Sequence, residues 1–293
     1  MIRLNHRFAM GVFTCLCVSG AWATESGADS YPLGAEGVQA GALPPPGVYL
    51  LGYYQHYHAS RFVDKHGKSM IPGFGINVDA FVPRLVWMTD QQVLGGQLGF
   101  YAAQPLVDLR VGMAGARDDR RAMGDTIAAS LLAWHNGNHH WVAALETVLP
   151  TGDYDKDHLA NAGKNYFTLR PIIAYSYSRP DGWDLSTKLS YSFNSNNDDT
   201  DYRSGQYFAG DYSVGYHVAP KLTLALQGYA VKQLTSDRVD GDDIGFRGQV
   251  FAYGPGIHYQ GQGWSLEAKY LRETAVENRP QGDATWLKLV LAF

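Results

Sequence analysis

The residues of this chain best suited to chemistry fall into three groups: histidines in local pairs, clustered aspartates, and isolated charges of both signs. His56 and His58 share one face of an extended segment, and His135, His139 and His140 crowd a turn. A structural metal needs three or four such ligands converging from different parts of the chain. The sequence shows only local pairs, so no metal site is expected. Asp153-x-Asp155-x-Asp157 opens like a calcium loop, but Lys164 stands where the bidentate Glu belongs and the central Gly is missing. Together with the run 194–201 it reads as external acidic loop, able to meet the divalent ions that bridge lipopolysaccharide. Nucleophilic catalysis needs a Ser or Cys held by a His with an orienting partner. No such signature stands out and Gly-x-Ser-x-Gly is absent, so the chain is expected not to be an enzyme, with no catalytic residue and no cofactor.

The third group is informative through its spacing. Asp79, Glu146, Arg170, Asp184, Lys188, Asp211, Glu267, Lys269 and Lys288 lie on the polar faces of extended segments. Trp183, Leu185, Thr187, Leu189, Tyr191 and Phe193 alternate with Asp184, Ser186, Lys188, Ser190, Ser192 and Asn194. Trp264, Leu266, Ala268 and Tyr270 alternate with Ser265, Glu267, Lys269 and Leu271, and Thr285, Leu287, Leu289, Leu291 and Phe293 form one face of the last segment. Period two means strands with one apolar and one polar face.

Composition agrees. Only 18 % of the 293 residues are charged, while Gly numbers 33 and Tyr 19, which suits strands better than helices. The formal charge is −4 with no basic run, so nucleic-acid binding has no electrostatic footprint. A mean hydropathy of −0.23 excludes a multi-helix membrane protein but not a membrane barrel, whose strands bury only alternate residues in lipid. Residues 1–23 read as a secretory leader: Arg3 and Arg7, an apolar stretch over 8–18, and Ala21-Trp22-Ala23 as the cleavage site. Cys15 and Cys17 both fall inside it, so the exported chain is expected to carry no thiol.

Strands are expected near 47–59, 74–88, 93–107, 125–134, 139–149, 165–178, 182–194, 204–217, 221–235, 246–259, 263–276 and 284–293. Links after the even strands are tight, among them Thr89-Asp90-Gln91-Gln92, His135-Asn136-Gly137-Asn138 and Arg179-Pro180-Asp181. Links after the odd strands are longer and polar, such as 150–164 and 195–203. Strict short-long alternation is the habit of an up-and-down barrel in the outer membrane of a Gram-negative cell. Trp141, Trp183 and Trp264 each follow a short turn, where an aromatic girdle would meet the periplasmic interface. The expected architecture is therefore all-β: a transmembrane antiparallel barrel of about 12 strands over 47–293, with both termini periplasmic. Pro83 marks a bulge or a miscounted strand.

Several motifs carry a family resemblance over nearly all of the exported chain: Tyr31-Pro32-Leu33-Gly34, Leu43-Pro44-Pro45-Pro46-Gly47, Trp134-His135-x-Gly137-Asn138, Leu149-Pro150-Thr151-Gly152-Asp153-Tyr154, Gly163-Lys164-Asn165-Tyr166, Thr200-Asp201-Tyr202-Arg203-Ser204-Gly205 and Val276-Glu277-Asn278-Arg279-Pro280-x-Gly282-Asp283. With these the chain resembles the outer-membrane family labelled as taking part in the meta-pathway of phenol degradation. A remoter likeness, in architecture only, is to the channels for long-chain fatty acids and aromatic hydrocarbons. The resemblance implies passive, porin-like uptake of small hydrophobic or aromatic compounds. A non-transporting structural or surface barrel is the alternative, and an outer-membrane lipid-modifying enzyme the third reading.

If the apolar faces meet lipid, the nine charges above line the lumen, bracing the wall or narrowing a path. Barrels of eight strands are filled by side chains and those of sixteen leave a water channel, so twelve strands imply a narrow or partly obstructed lumen. Residues 24–46, with three consecutive prolines and no periodic element, are either a lumen plug or a periplasmic tail. The expected partners are outer-membrane lipid and lipopolysaccharide, small hydrophobic solutes, and the barrel-assembly machinery through the C-terminal Phe293. Register adds one expectation. The loops 150–164 and 195–203 centre on residues 157 and 199, which sets Glu146 nearly opposite Arg170 and Lys188 nearly opposite Asp211.

Overall fold

The computed structural model describes residues 29–30 and 32–293. The leader 1–23, with Cys15 and Cys17, and Tyr31 of the first motif lie outside the described residues. In chain order the strands are β1 (Gly47–Val63), β2 (Gly75–Val93), β3 (Gly96–Ala103), β4 (Leu106–Met113), β5 (Ala116–Met123) and β6 (Thr126–Asn136). They continue with β7 (His139–Leu149), β8 (Thr168–Ser178), β9 (Trp183–Asn194), β10 (Tyr202–Arg203), β11 (Tyr207–Ala219) and β12 (Leu222–Gln233). The last are β13 (Arg238–Val239), β14 (Asp242–Asp243), β15 (Gln249–Gln260), β16 (Trp264–Glu277) and β17 (Arg279–Ala292). Twelve of them close an antiparallel barrel in which β1 pairs with both β2 and β17. The three short strands β10, β13 and β14 form a separate small sheet within the outer loops.

Large apolar side chains stand exposed on the outer face, where lipid would cover them: Leu85, Leu145, Ile173, Leu185, Val214, Leu226, Ile257 and Leu289 among others. Beside the tight turns they give way to aromatic pairs. Trp183 meets Tyr216 and Tyr259 meets Trp264 at 5.4 Å between ring centroids, and Trp141 meets Tyr175 at 5.8 Å. This is the interfacial girdle expected at one membrane boundary.

Two turn expectations need correction. The first tight turn is Leu94-Gly95, both with positive φ (52° and 73°), not Thr89-Asp90-Gln91-Gln92. Those four polar residues continue β2, with an irregular register between Met88 and Gln92. The alternation of link lengths also breaks. Two outer links are tight: Ala114-Gly115, with φ of 48° and 89°, and the single residue Asn278. There the hairpins themselves project outward in place of a long loop.

The longest projection is the β4–β5 hairpin. β4 keeps the register of β3 along β2, with Ala103 opposite Arg84 and Val111 opposite Ile76. The two form one strand interrupted at Gln104-Pro105. Pro83 is therefore neither bulge nor miscount, since β1 pairs with it in unbroken register. It lies beside the interruption, where Gln104 N–H still reaches the Pro83 carbonyl at 3.2 Å. Two prolines at neighbouring positions leave the ladder short of donors, and the strand breaks there.

An unpaired strand edge is a hazard that folds cover explicitly. The free edge of β5 is covered by the loop 150–164. Asp118 accepts hydrogen bonds from the N–H groups of Leu159 (2.9 Å) and Ala160 (3.0 Å), and Asp125 from those of Gly152 (2.9 Å) and Lys164 (2.8 Å). Arg120 grips Asp153 through two bonds of 2.7 and 2.8 Å. Asp153 thus serves as a strap.

The Arg120 guanidinium holds the Asp153 carboxyl below the usual carboxylate range. A depressed carboxyl contributes attachment that is complete above its unfolded value of about 3.9 and lost as pH falls through the folded one. Limited proteolysis between residues 155 and 161 should therefore stay slow at neutral pH and accelerate below about pH 4. Arg120→Ala should bring the faster cleavage to neutral pH.

Candidate functional site

Residues 29–30 and 32–46 run through the lumen. Asp29 is paired with Arg279 at the outer end of β17, one bond measuring 2.9 Å, and Pro44-Pro45-Pro46 lead into β1 at the inner mouth. The described chain thus begins at the outer end of the lumen, and its C-terminal strand ends at the inner mouth. The expectation that both termini are periplasmic concerns the residues before Asp29 as well, and those lie outside the described residues.

This segment has no secondary structure of its own to satisfy its backbone, and buried N–H groups need partners. The wall supplies them. Gly34 and Glu36 N–H donate to the two carboxylate oxygens of Asp211, each at 3.1 Å. Val38 N–H donates to Glu267 (3.2 Å), Gln39 N–H to Ser186 Oγ (2.9 Å) and Gly41 N–H to Ser176 Oγ (2.8 Å). Lys269 Nζ donates to the carbonyl oxygens of Glu36 (2.9 Å) and Ala35 (3.4 Å). Glycine is required by closeness. A Cβ on Gly37 would lie 2.1 Å from both Gln227 and Glu267, and one on Gly41 2.8 Å from the backbone of β8.

The sequence-derived lumen residues divide by role. Asp211, Glu267 and Lys269 hold the plug. Glu146 stands directly opposite Arg170 and forms a buried ion pair with it. Tyr101 adds a hydrogen bond to Glu146, and Ser192 accepts one from Arg170 at 3.0 Å. Lys188 stands opposite Asp211 in the β9–β11 register. Asp184 is fully buried, 3.8 Å from His217 Nε2, and Lys288 bonds the plug residue Glu36 at 2.7 Å. Asp79 is the exception. It points outward with the exposed Tyr54 and His56, which bond its carboxylate at 2.7 and 2.9 Å. β2 has 19 residues, more than the roughly 9–11 a barrel strand needs to cross the bilayer. Beyond the lipid, a polar residue is free to face outward.

Sequence reasoning missed the centre of the site. Glu36 Oε1 accepts from Arg84 Nη1 (2.8 Å) and Tyr53 OH (3.2 Å), and Glu36 Oε2 from Lys288. The Arg84 guanidinium lies 4.7 Å and 4.8 Å from the rings of Tyr53 and Tyr101, a cation–π arrangement on both sides. The available signal was isolation: Glu36 is the one charge between Pro32 and Gly47, and Arg84 the one charge between Ala80 and Thr89.

Arg84, Tyr53 and Glu36 form the partition between two cavities. The outer one, about 450 Å³, is walled by Ile76, Val78, Val107, Leu109, Val111 and Ile127. The inner one, about 380 Å³, is walled by Leu51, Val86, Leu131, Val142, Ile172 and Ala174. The lumen is therefore two-sided. The wall of β8, β9, β11 and β16 is polar and binds the plug, whereas β2, β3, β6 and β7 turn chiefly apolar residues inward. These strands carry apolar side chains on both faces, which weakens the alternation across 125–149.

A closed barrel with an apolar outer band, an aromatic girdle and a plugged lumen is an outer-membrane β-barrel protein. A family profile described as "Putative MetA-pathway of phenol degradation" matches residues 59–289, and the chain belongs to that family. No curated protein sequence matches the chain. Among solved structures it is similar to an outer-membrane channel from Pseudomonas putida F1, at 21 % identity and a TM-score of 0.76, covering 87 % of this chain and 98 % of that one. The β domain of the Bordetella autotransporter BrkA is similar at 10 % identity and a TM-score of 0.51, covering 85 % and 100 %.

Removing one member of a buried ion pair costs about 3–5 kcal/mol because the other charge is left without compensation. Arg170→Ala should lower barrel stability on that order in urea titrations of the vesicle-inserted protein. Combining it with Glu146→Ala should recover part of the loss. Strictly additive effects would show that the two side chains act independently.

Proposed function

We propose that the protein is a passive outer-membrane channel for small apolar solutes, aromatic compounds among them, with residues 32–46 as its barrier. The observation that carries this reading is the pair of apolar-walled cavities separated by the Arg84–Tyr53–Glu36 partition. Each has the size typical of small-molecule sites and an apolar wall, with Lys188, Glu267 and Lys288 reaching the inner cavity and Asp125, Lys164 and Glu273 the outer one. They lie in line along the β1–β7 side, so a solute that leaves one enters the other once the plug shifts. The family description, with its link to phenol degradation, supports aromatic compounds as a solute class.

The plug is held by hydrogen bonds and ion pairs together with the apolar contacts of Leu33, Ala35 and Leu43, none of them part of the strand ladders, so it can be released without dismantling the barrel. Deleting residues 24–43 should raise the flux of benzyl alcohol into proteoliposomes well above that of the intact protein. Gly41→Val, which drives a side chain into the β8 backbone, should raise it to a lesser degree. Flux equal to protein-free vesicles in the intact protein and in both variants would contradict the channel and favour a structural barrel.

A further inference from the structure

The Glu36 carboxylate sits in an anion site that the barrel wall builds. We propose that the same site takes the carboxylate of a small apolar acid, aromatic or short aliphatic, which competes with Glu36 and thereby loosens the plug. This inference rests on the channel reading above and names the solute class that the partition recognises.

The charge arrangement points this way. At the waist, Arg170 is matched by Glu146 and Lys269 by Glu267 at 3.1 Å, while Asp211 receives plug N–H groups. Among the described residues, the carboxylate bonded to Arg84 is that of Glu36, and the same holds for Lys288. Besides Arg279, which pairs with Asp29, the wall thus carries two buried cations at the waist whose counter-charge comes from the lumen segment and not from the barrel. A buried cation left without a carboxylate is costly, so release of Glu36 favours whatever anion can replace it.

Arg84 is also under-used. Its hydrogen bonds run through Nη1, while Nε is buried without a partner. Guanidinium presents a fork that fits a carboxylate through two parallel bonds, and Glu36 engages only one nitrogen of it. A carboxylate arriving from either cavity can take the second edge. Its apolar body would lie against Val82 and Ile127 on the outer side, or Val86 and Leu131 on the inner side. Tyr53 supplies a hydroxyl at the same point. Neutral aromatic solutes fit the cavities equally well but have no group to exchange for Glu36.

The test uses the full-length exported protein in detergent, with benzoate and benzyl alcohol as matched probes and calorimetry as the readout. Benzoate should bind more tightly than benzyl alcohol. Glu36→Gln, which removes the competitor and keeps the shape, should raise the benzoate-to-benzyl-alcohol affinity ratio by about tenfold, the size of one charge-assisted bond. Lys288→Met should lower it by a similar factor, as should Arg84→Met. Heat-modifiable gel migration identifies variants that fold, and Lys288→Met carries the test if Arg84→Met does not. A ratio near one that is unchanged by Glu36→Gln and Lys288→Met overturns the inference. Flux of benzyl alcohol and of benzoate into proteoliposomes is measured in parallel. Flux without benzoate preference overturns the carboxylate site alone, whereas absence of flux for both probes overturns the channel reading with it.

Discussion

Backbone groups inside a narrow barrel must find hydrogen-bond partners, and here an irregular segment fills the lumen without any ladder of its own. Everything else in the interior follows from that constraint. Asp211, Glu267, Ser176 and Ser186 are placed to accept from consecutive stretches of plug backbone, and Lys269 donates to its carbonyl groups. Ser, Lys and carboxylate residues recur on the inner faces of β9, β11 and β16 because the plug lies against those strands. The charges that resemble a bracing network are in large part the plug's binding site.

The opposite wall is relieved of that duty. β2, β6 and β7 place Val86, Leu131 and Val142 inward and still present Leu85 and Leu145 to lipid. Apolar surface on both faces is unusual for a membrane strand, whose lumen side is ordinarily polar. It leaves two cavities whose walls on that side are apolar. The partition between them is narrow, a single Arg–Glu contact flanked by two tyrosines, and it joins the polar half of the lumen to the apolar half.

The strand pattern was legible wherever lipid and plug imposed opposite demands on the two faces. β9, β11, β16 and β17 alternate strictly, and the loop midpoints place Glu146 at Arg170 and Lys188 at Asp211, the pairs the ladders contain. Legibility fell where those demands were absent. Asp79 lies above the lipid, so its polarity says nothing about direction. Thr89 to Gln92 are polar because β2 extends past the membrane, and the turn follows at Leu94-Gly95. The interruption at Gln104-Pro105 hides a continuous strand. Glu36 and Arg84 belong to segments far apart in the chain, and only the threading of the plug brings them together.

The most direct measurement locks the plug to the polar wall. Gln39 N–H contacts Ser186 Oγ at 2.9 Å, and the only cysteines of the sequence, Cys15 and Cys17, fall in the segment expected to be cleaved on export. A Gln39→Cys, Ser186→Cys double variant can therefore be oxidised without competing thiols and reduced again in the same vesicles. Solute passage that requires the plug to leave the polar wall predicts that oxidation brings benzyl alcohol flux down to the level of protein-free vesicles, and that reduction restores it. Equal flux in the cross-linked and reduced states would contradict the account.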